Sequence, residues 1–556
     1  MEEINKQVRM NTYTPRKQSI WRLLMLSVYA SFAILVFSAT IVSAAVFQYS
    51  TPIETSKGER ATFLWIPPQA KQVRGIMVGG MTLMEREFSK DKCIRQACAN
   101  QQLAIIFLKC GLAQTDLQKV LNDLAKVSGY HELIVAPLMF VGHSAGGPQA
   151  KALAVKMQAR CFGLVQYRGG VPGGKDPVPP GIPTLMMVGQ FDEFGKTMRN
   201  ETGRETWEGG RDAVAAFRAQ DERHLASIVV EPGAGHFAWS DRNASYLALF
   251  ISKAAKTCIP PKWLMGGQEP ILRKINHKAG WLTDLTIKTK SEFDPAPYEK
   301  YRGDKAAAAW HFDREIAEAT FAYHAGGFSK KDQFIKWNDP YWVDAGTRFF
   351  FTKLKWVGDG QTFEVHPVYA DVYPSQYNGR GPRWLEAGKL VGHSTAPILV
   401  RQVSGPVIAT GPHTLRIQYD SLAPATEGSR VTFMAYSAGD AEYRYTELVG
   451  MMPRGFADLK KGKEQTITFP PLGNLNADSD PIELEATSDS GLPVEYYVTY
   501  GPATIVDGKL CITEIPARAK FPIDVKVVAY QFGSGVEPLF KTATPVEQTI
   551  QIRKSR

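Results

Sequence analysis

The sequence predicts an α/β domain with a doubly wound, mostly parallel sheet, followed by all-β domains. Between residues 46 and 258, short apolar segments alternate with helical segments, which is typical of a parallel sheet covered by helices on both faces. From about residue 346 onward, short alternating segments separated by Gly, Pro and Asn turns indicate antiparallel sheets. A chain of 556 residues, at roughly 150 residues per domain, has room for several domains that each bury a core.

The predicted α/β domain covers residues 46–258. Its strands are short apolar runs, and the apolar residues of its helices recur at helical spacing. The predicted strands are Arg74–Val78, Leu103–Leu108, Pro137–Val141, Phe162–Gln166, Thr184–Val188 and Ser227–Val230. The predicted helices are Glu85–Asn100, Asp116–Val127, Gln149–Gln158, Val214–Gln220 and Ser245–Ala255.

Three further regions follow this domain. Residues 259–345 open with Pro260-Pro261 and contain a predicted helix over Lys305–His324, so we interpret them as a helical linker region. Residues 346–474 form a predicted β-rich domain, and residues 475–556 a second β domain. The clearest strand patterns in these two domains are Gln361–Val365, Thr414–Gln418, Arg430–Ala435, Thr466–Phe469, Asp524–Tyr530 and Thr549–Ile552.

The N-terminal residues 1–45 have the pattern of a targeting segment. Arg9, Arg16, Lys17 and Arg22 precede an uncharged stretch that begins at Leu23, and small residues follow at Val42-Ser43-Ala44. A basic head, an apolar stretch and small residues describe a secretory signal peptide, but about 20 apolar residues also suffice to span a bilayer as a transmembrane anchor. Both alternatives predict an exported protein, either secreted or periplasmic, or held on the extracytoplasmic side of a membrane through this segment alone.

Composition excludes several classes of function. The net charge of +10 is spread over the whole chain without a block of Lys and Arg, so no nucleic-acid partner is expected. Six cysteines include no Cys-x-x-Cys pair and no zinc spacing, and nothing in the sequence requires a metal or an organic cofactor. Export makes disulfides possible, and Cys98 or Cys161 with Cys258 is the favoured pairing.

A Gly-x-Ser-x-Gly motif, Gly142-His143-Ser144-Ala145-Gly146, directly follows an apolar strand and precedes a helix. A nucleophilic serine on such a sharp turn needs small neighbours two residues away on each side, and the following helix directs its N-terminal amides at a developing oxyanion. Ser144 is therefore the predicted nucleophile. The similar Gly392-His393-Ser394 has Ala396 in place of the second glycine and no helix after it, so it is set aside.

The partners of a catalytic serine follow in the order Ser, Asp, His. A predicted strand ends before Gly189-Gln190-Phe191-Asp192-Glu193, and the next ends before Gly233-Ala234-Gly235-His236-Phe237. Over residues 46–258 the chain resembles the α/β-hydrolase superfamily, its serine esterases in particular. The resemblance implies His236 as general base and Asp192 as the acid that orients it, with Glu193 as the rival acid. It also implies an oxyanion hole from the amide of Ala145 and a second amide from Met81 or Gly80.

The predicted substrate is a small-molecule or polymer-linked ester. About 17 residues separate the strands that end at Gln166 and begin at Thr184, which leaves little room for a large lid and suits soluble or polysaccharide-linked esters. Phe191, Phe237 and Trp239 are candidate substrate-binding residues, with ordinary packing an equal alternative. A carboxylic ester hydrolase is the leading hypothesis. A surface adhesion or envelope protein with a degenerate hydrolase domain, and a peptidase of the same fold, are the alternatives.

The last β domain resembles the bacterial immunoglobulin-like modules of surface and secreted proteins. The segments that carry this resemblance are Ser488-Asp489-Ser490-Gly491-Leu492-Pro493-Val494 and Gly501-Pro502-Ala503-Thr504. It implies a spacer or adhesion module without chemistry of its own. The aromatic run over residues 334–356 suggests either carbohydrate stacking or the core of a sandwich.

Overall fold

The computed structural model describes residues 47–80, 84–192, 206–261, 263, 269–285, 293–338, 342–344, 350–352, 355–373, 388–424, 431–452 and 456–555. Residues 1–45, the predicted targeting segment, therefore lie outside the described residues. Within them, no helix is long and apolar enough to cross a membrane.

An eight-stranded sheet forms the first domain. Its strands are β1 (Tyr49–Thr55), β2 (Gly58–Trp65), β3 (Gly75–Gly80), β4 (Leu103–Leu108), β5 (Leu138–His143), β6 (Cys161–Tyr167), β7 (Thr184–Gly189) and β8 (Ala226–Glu231). They lie in the order β1-β2-β4-β3-β5-β6-β7-β8, with β3 to β8 parallel and β1 and β2 antiparallel to their neighbours. Every residue of β3 to β8 is buried, as expected for strands covered on both faces. The predicted mostly parallel α/β sheet is thus confirmed.

Six helices described in this domain connect or cover the parallel strands. They are α1 (Met84–Lys90), α2 (Lys92–Asn100), α3 (Leu117–Ser128), α4 (Gly146–Lys156), α5 (Thr206–Gln220) and α6 (Asp241–Cys258). The predicted helix over Glu85–Asn100 is divided because the Asp91 carboxylate accepts hydrogen bonds from the amides of Cys93 and Ile94 and so starts α2. Asp116 starts α3 in the same way, and Gly129 ends that helix in the left-handed conformation.

The hairpin of β1 and β2 was not among the strands predicted from the sequence. Polar and apolar residues alternate along part of the hairpin. Within β2, only the last four residues are buried. These four pair with β4 from Thr62–Leu108 to Trp65–Ile105. The hairpin therefore extends the sheet at its antiparallel edge, away from the parallel strands that precede the candidate catalytic residues.

The region of residues 259–345 contains both strands and a helix. The strands β9 (Trp281–Thr283), β10 (Ala296–Pro297) and β11 (Ala309–His311) form a small sheet, and α7 (Arg314–Phe328) follows. The predicted helix over Lys305–His324 begins too early. Trp310 pairs with Leu282 in the small sheet, and the Asp313 carboxylate caps the amide of Ile316, so the helix starts only at Arg314.

A β-rich region follows, and its first two strands lie before the predicted domain boundary at residue 346. Its strands are β12 (Ile335–Trp337), β13 (Trp342–Asp344), β14 (Phe350–Thr352), β15 (Thr362–Glu364), β16 (Pro367–Tyr369), β17 (Leu399–Ser404), β18 (Val407–Ala409), β19 (Thr414–Ile417), β20 (Val431–Ser437) and β21 (Thr446–Met452). The central sheet has the order β13-β14-β21-β20-β17, and a three-stranded sheet has the order β15-β19-β18. Phe363, Leu415 and Phe433 contribute to a shared core.

The C-terminal strands form a four-stranded, a three-stranded and a two-stranded sheet. They are β22 (Ile467–Thr468), β23 (Leu475–Asn476), β24 (Ile482–Glu483), β25 (Thr487–Ser488), β26 (Glu495–Tyr500), β27 (Ala503–Val506), β28 (Lys509–Ile512), β29 (Ile523–Tyr530) and β30 (Val546–Arg553). The four-stranded sheet has the order β23-β30-β29-β26, the three-stranded one has the order β24-β28-β27, and the two-stranded one is made of β22 and β25. Residues from the first two of these sheets, such as Val527 and Leu510, lie in the same core.

The C-terminal domain is docked on the α/β domain. Arg518 donates hydrogen bonds to both carboxylate oxygens of Glu132, each at 3.1 Å, and its own amide donates to the Tyr130 hydroxyl at 3.0 Å. The Gly501 amide donates to the Phe47 carbonyl at 2.9 Å. The domain is thus fixed to its neighbour by buried polar contacts.

The six cysteines, all of which the structure describes, carry free thiols. The predicted pairing of Cys258 with Cys98 or Cys161 is therefore absent from this structure. Burial raises the pKa values of the Cys98, Cys161 and Cys258 thiols to about 12, so these side chains behave as small apolar core residues.

Candidate active site

Ser144 occupies a strained turn between β5 and α4. Its φ is +54°, in the left-handed region that a residue with a side chain rarely adopts. The turn is so tight that a Cβ atom on Gly142 would lie 2.1 Å from the carbonyl oxygen of Gly146. Only glycine fits at Gly142, which explains why the motif requires a small residue there.

Backbone contacts hold this turn in place. The Ser144 amide donates to the Tyr167 carbonyl, and the Ser144 carbonyl accepts from the Gly147 amide, both at 3.0 Å. A Cβ atom on Gly169 would lie 2.1 Å from the Ser144 carbonyl oxygen, so the loop after β6 supports the turn from one side. Ser144 itself remains partly exposed, as a nucleophile must be.

Asp192 and His236 lie together at the carboxyl ends of β7 and β8. Nδ1 of His236 is 2.9 Å from Oδ2 of Asp192, and both side chains are buried. In this geometry the carboxylate accepts a hydrogen bond from Nδ1–H and leaves Nε2 as the basic nitrogen. The rival acid Glu193 lies outside the described residues.

The loops that carry Asp192 and His236 are bonded directly to each other. The Phe191 amide donates to the Ala234 carbonyl at 2.9 Å, and the Gly233 amide donates to Oε1 of Gln190 at 2.8 Å. The Gln190 amide donates to the Glu231 carbonyl at 3.0 Å. Neither loop can shift alone without breaking these bonds, so the separation of acid and base is fixed by backbone geometry.

His143 links the serine turn to the histidine loop. Its ring centroid is 4.8 Å from that of His236, and its Nε2 is 3.1 Å from the His236 carbonyl oxygen. Burial lowers the pKa of His143 well below its ordinary value, and the neighbouring His236 and Arg168 lower it further. The neutral ring with a proton on Nε2 therefore donates to the His236 carbonyl.

A buried polar cluster lies beside the ends of β6 and β8. Arg168 forms an ion pair with Glu231, and Asn243 donates to the same carboxylate at 2.8 Å and to the Tyr167 hydroxyl at 3.1 Å. Burial alone would lower the pKa of Arg168, but the surrounding acidic groups outweigh that effect and raise it. Arg168 therefore stays protonated and is paired with the Glu231 carboxylate next to the strand ends that bear Asp192 and His236.

The predicted oxyanion-hole residues are only partly described. Ala145 is exposed and immediately precedes α4, whose N-terminal end carries a partial positive charge. Gly80 ends β3, and a Cβ atom there would lie 2.8 Å from Cγ of Leu112 and 3.0 Å from the carbonyl of Cys110. Met81 lies outside the described residues.

The three predicted substrate-binding residues differ in exposure. Phe237 is buried and packs edge-on against the His236 ring, with centroids 4.9 Å apart. Phe191 is also buried, and the Arg444 guanidinium lies 5.9 Å from its ring centroid. Trp239 is partly exposed and packs on Phe88 at 4.7 Å. Trp239 thus has surface left for a ligand, whereas the two phenylalanines mainly support the acid and histidine loops.

The second Gly-His-Ser segment has a different environment. Ser394 is 1% exposed, and its hydroxyl lies 3.0 Å from the Tyr369 hydroxyl. His393 stacks on the Tyr369 ring at 4.4 Å, with one ring nitrogen 2.8 Å from the Ser394 carbonyl oxygen. A serine buried in this way is a structural residue.

Within the described part of the chain, no group of three or more His, Cys, Asp or Glu side chains is arranged to hold a metal ion.

Sequence reasoning overlooked His143, Arg168, Glu231 and Glu447. His143 lies at the variable position of the motif between Gly142 and Ser144, and the motif itself assigns no role to that position. Glu231 follows directly on the predicted strand end at Val230, and Arg168 lies two residues after the one at Gln166. A charged residue at such a place is a usable signal in an α/β sheet. Glu447, whose Oε1 accepts from the Gly235 amide at 2.8 Å, comes from β21 and has no local signal.

Comparisons with known proteins found similarities at the level of solved structures. No protein-family model matches the chain, and no curated protein sequence matches it. One similar structure is the esterase domain of a Rhodothermus marinus protein, at 15% identity and a TM-score of 0.26, covering 37% of this chain and 97% of that one. A second is an S-formylglutathione hydrolase from Agrobacterium tumefaciens, at 14% identity and a TM-score of 0.28, covering 37% and 93%. A third is a poly(3-hydroxybutyrate) depolymerase from Bordetella parapertussis, at 14% identity and a TM-score of 0.28, covering 39% and 92%.

Proposed function

We propose that the chain is an exported serine hydrolase that cleaves carboxylic esters through Ser144, His236 and Asp192. The observation that carries this proposal is the pairing of a strained serine turn with a buried Asp–His pair at neighbouring strand ends. Ser144 has a φ of +54°, and His236 lies 2.9 Å from Asp192. A strained backbone conformation and a buried carboxylate bonded to an imidazole both have a free-energy cost, and they are typical of catalytic sites.

The proposed reaction runs through an acyl-enzyme. Oγ of Ser144 attacks the ester carbonyl while Nε2 of His236 takes the hydroxyl proton, and the resulting imidazolium is stabilised by Asp192. His236 then gives the proton to the departing alcohol. A water molecule, deprotonated by His236, releases the acid and restores Ser144. The amide of Ala145, with Gly80 or Met81, stabilises the negative charge on the carbonyl oxygen.

The substrate class follows from the size of the segment between β6 and β7. That segment, residues 168–183, contains no helix or strand, so it forms no helical lid. A site without a helical lid from this segment suits soluble or polymer-linked esters, polysaccharide esters among them. The aromatic residues Phe334, Trp337 and Phe350 are buried in the core of the β-rich domain, and this favours the sandwich-core interpretation over carbohydrate stacking.

Two further parts of the proposal concern location and architecture. The proposed export of the protein is supported by the basic and apolar N-terminal segment, either as a cleaved signal peptide or as a retained membrane anchor. The immunoglobulin-like interpretation of residues 475–556 is supported by two sheets around one core, which are antiparallel except for the parallel pairing of β23 with β30. Since Arg518 and Gly501 bond this domain to the α/β domain, we propose a docked support in place of a free spacer.

The test is active-site labelling of the purified protein with a fluorophosphonate, together with turnover of short-chain p-nitrophenyl esters. Wild type should label and Ser144→Ala should not, with a loss of kcat of at least about 10⁴-fold. Ser394→Ala is the matched control, because Ser394 shares the Gly-His-Ser context but is buried, and it should label like wild type.

Two other results would favour the alternatives. A folded wild type that neither labels nor turns over esters would contradict the hydrolase proposal and favour an adhesion protein with a degenerate site. Faster cleavage of amides than of matched esters, after allowance for their different intrinsic reactivity, would favour the peptidase.

A further inference from the structure

The histidine loop of the α/β domain, residues 231–237, is held by a segment of the β-rich domain. Oε1 of Glu447, the second residue of β21, accepts a hydrogen bond from the Gly235 amide at 2.8 Å. Oε2 of the same carboxylate accepts from the Tyr445 hydroxyl at 2.6 Å. Each carboxylate oxygen therefore has a donor. The donor to Oε1 is the backbone amide of Gly235, the residue that precedes His236 in the histidine loop.

A second contact brings the same two segments close together. Gly233 has a φ of +76°, and a Cβ atom on it would lie only 1.8 Å from the Tyr445 carbonyl oxygen. The backbones of the histidine loop and of residues 444–447 are thus in direct van der Waals contact. Such closeness is possible only because Gly233 has no side chain.

The segment before β21 is itself anchored. Arg444 forms an ion pair with Asp332, and Nε2 of Gln333 donates to the Arg444 carbonyl at 2.7 Å. The Lys331 amide donates to the Glu442 carbonyl at 2.8 Å, and the Arg444 amide donates to the Lys331 carbonyl at 3.0 Å. Residues 442–447 therefore form a fixed support against which the histidine loop rests.

We propose that Glu447 is a positioning residue for His236, so that the β-rich domain completes the active site of the α/β domain. This proposal rests on the proposed function, because it assigns to Glu447 the placement of the general base. Glu447 acts through the backbone: its carboxylate fixes the Gly235 peptide, and this peptide sets the position of the imidazole relative to Asp192. A small displacement of a catalytic group lowers kcat strongly, because the reaction needs close alignment of the reacting atoms.

The test uses four variants of the full chain and two readouts. Glu447→Ala removes the acceptor, and Glu447→Gln keeps an amide oxygen at the same reach without the charge. Glu447→Asp keeps the charge but shortens the reach by one methylene. Glu442→Ala is the matched control, since Glu442 lies in the same segment but is exposed and pairs with Lys331 at the surface.

The first readout is amide hydrogen exchange of the peptide that covers residues 233–237. The second is the separation of kcat from KM for a short-chain ester. We expect Glu447→Ala and Glu447→Asp to exchange about tenfold faster and to lose about tenfold in kcat with KM little changed, which corresponds to the loss of one hydrogen bond. Glu447→Gln and Glu442→Ala should resemble wild type in both readouts.

The outcomes separate this proposal from the proposed function. If wild type turns over esters and all four variants resemble it, the positioning role is wrong and the hydrolase proposal stands. If wild type is inactive but Glu447→Ala exposes the loop to exchange, the anchoring contact stands and the hydrolase proposal fails. If Glu447→Ala does not fold, the comparison of Glu447→Gln with Glu447→Asp decides, and equal behaviour of these two would overturn the proposal.

Discussion

The Nδ1 atom of His236 lies 2.9 Å from Oδ2 of Asp192, and both side chains are almost completely buried. A buried carboxylate at this distance fixes the tautomer of the ring, because Nδ1 must carry the hydrogen that Oδ2 accepts. The opposite nitrogen, Nε2, is then unprotonated and basic. The pair is thus arranged to accept a proton at Nε2 and to stabilise the imidazolium that results.

Asp192→Asn should lower kcat by about 10³–10⁴-fold while leaving the fold intact, because an amide in place of the carboxylate favours the wrong tautomer of His236. Steady-state turnover of a p-nitrophenyl ester measures this loss. Glu193→Gln is the matched control and should stay close to wild type. A large loss in Glu193→Gln and a small one in Asp192→Asn would reverse the assignment of the acid.

The His143 ring donates to the His236 carbonyl at 3.1 Å, so removal of this donor should loosen the general base. His143→Leu should lose about tenfold in kcat, the equivalent of one hydrogen bond, whereas His143→Gln keeps a donor at similar reach and should lose less. Ester turnover at constant temperature measures both. Equal loss in both variants would assign His143 a packing role only.

The α/β half of the fold could be predicted from local patterns. The predicted strand Leu103–Leu108 has the observed bounds, and Asp192 and His236 were singled out because each follows a strand end. Parallel strands bring their carboxyl ends to one edge of the sheet, so chain order alone suffices to place such residues near one another. The resemblance to serine esterases then implies that His236 is the general base and Asp192 the acid that orients it.

Contacts between distant segments could not be predicted in this way. The helix expected from Lys305 begins at Arg314 because pairing of Trp310 with Leu282 overrides the helical propensity of the alanines before it. Glu447 lies 212 residues from Gly235 in the chain, and nothing around it in the sequence distinguishes it from a surface glutamate. A single sequence carries no signal for such a contact.

Gly233→Ala should be strongly destabilising, because it combines two costs. A left-handed φ costs a residue with a side chain about 1–2 kcal/mol, and the added methyl group would overlap the Tyr445 carbonyl. Gly174→Ala is the matched control: Gly174 has a φ of +79° but nothing within 4 Å of its Cβ position. Urea unfolding should show at least about 1 kcal/mol more destabilisation for Gly233→Ala, and equal losses would contradict the close packing.

Arg518→Ala should weaken the docking of the C-terminal domain. In this variant the Glu132 carboxylate, which is 2% exposed, still accepts a hydrogen bond from the Val73 amide. It no longer has the Arg518 guanidinium to balance its charge. We expect a loss of about 1–3 kcal/mol in the free energy of unfolding. Arg314→Ala, which removes an exposed ion pair with Glu318, should lose at most about 0.5 kcal/mol. Equal effects in denaturant melts would show that the Arg518–Glu132 contact contributes little.

Glu447 should also make stability depend on pH. Burial and the neighbouring Glu231 raise its pKa from 4.5 to about 7, against the opposing effects of Arg168, the Tyr445 hydroxyl and Arg401. Because the folded state then holds this proton more tightly than the unfolded chain, the contribution of Glu447 to the unfolding free energy is fully present below pH 4.5 and is lost as the pH rises through about 7.

Glu447→Gln cannot titrate, so its stability should change less over the same window. Urea unfolding of wild type and Glu447→Gln at several pH values between 5 and 8 should therefore give a difference that moves in favour of the variant as the pH rises. Both proteins share every other titrating group, so the difference isolates this carboxyl. If the unfolding free energies of the two proteins changed with pH in parallel, the pKa of Glu447 would be the same in the folded and the unfolded chain. The Glu447 carboxylate would then be as well solvated as one at the surface.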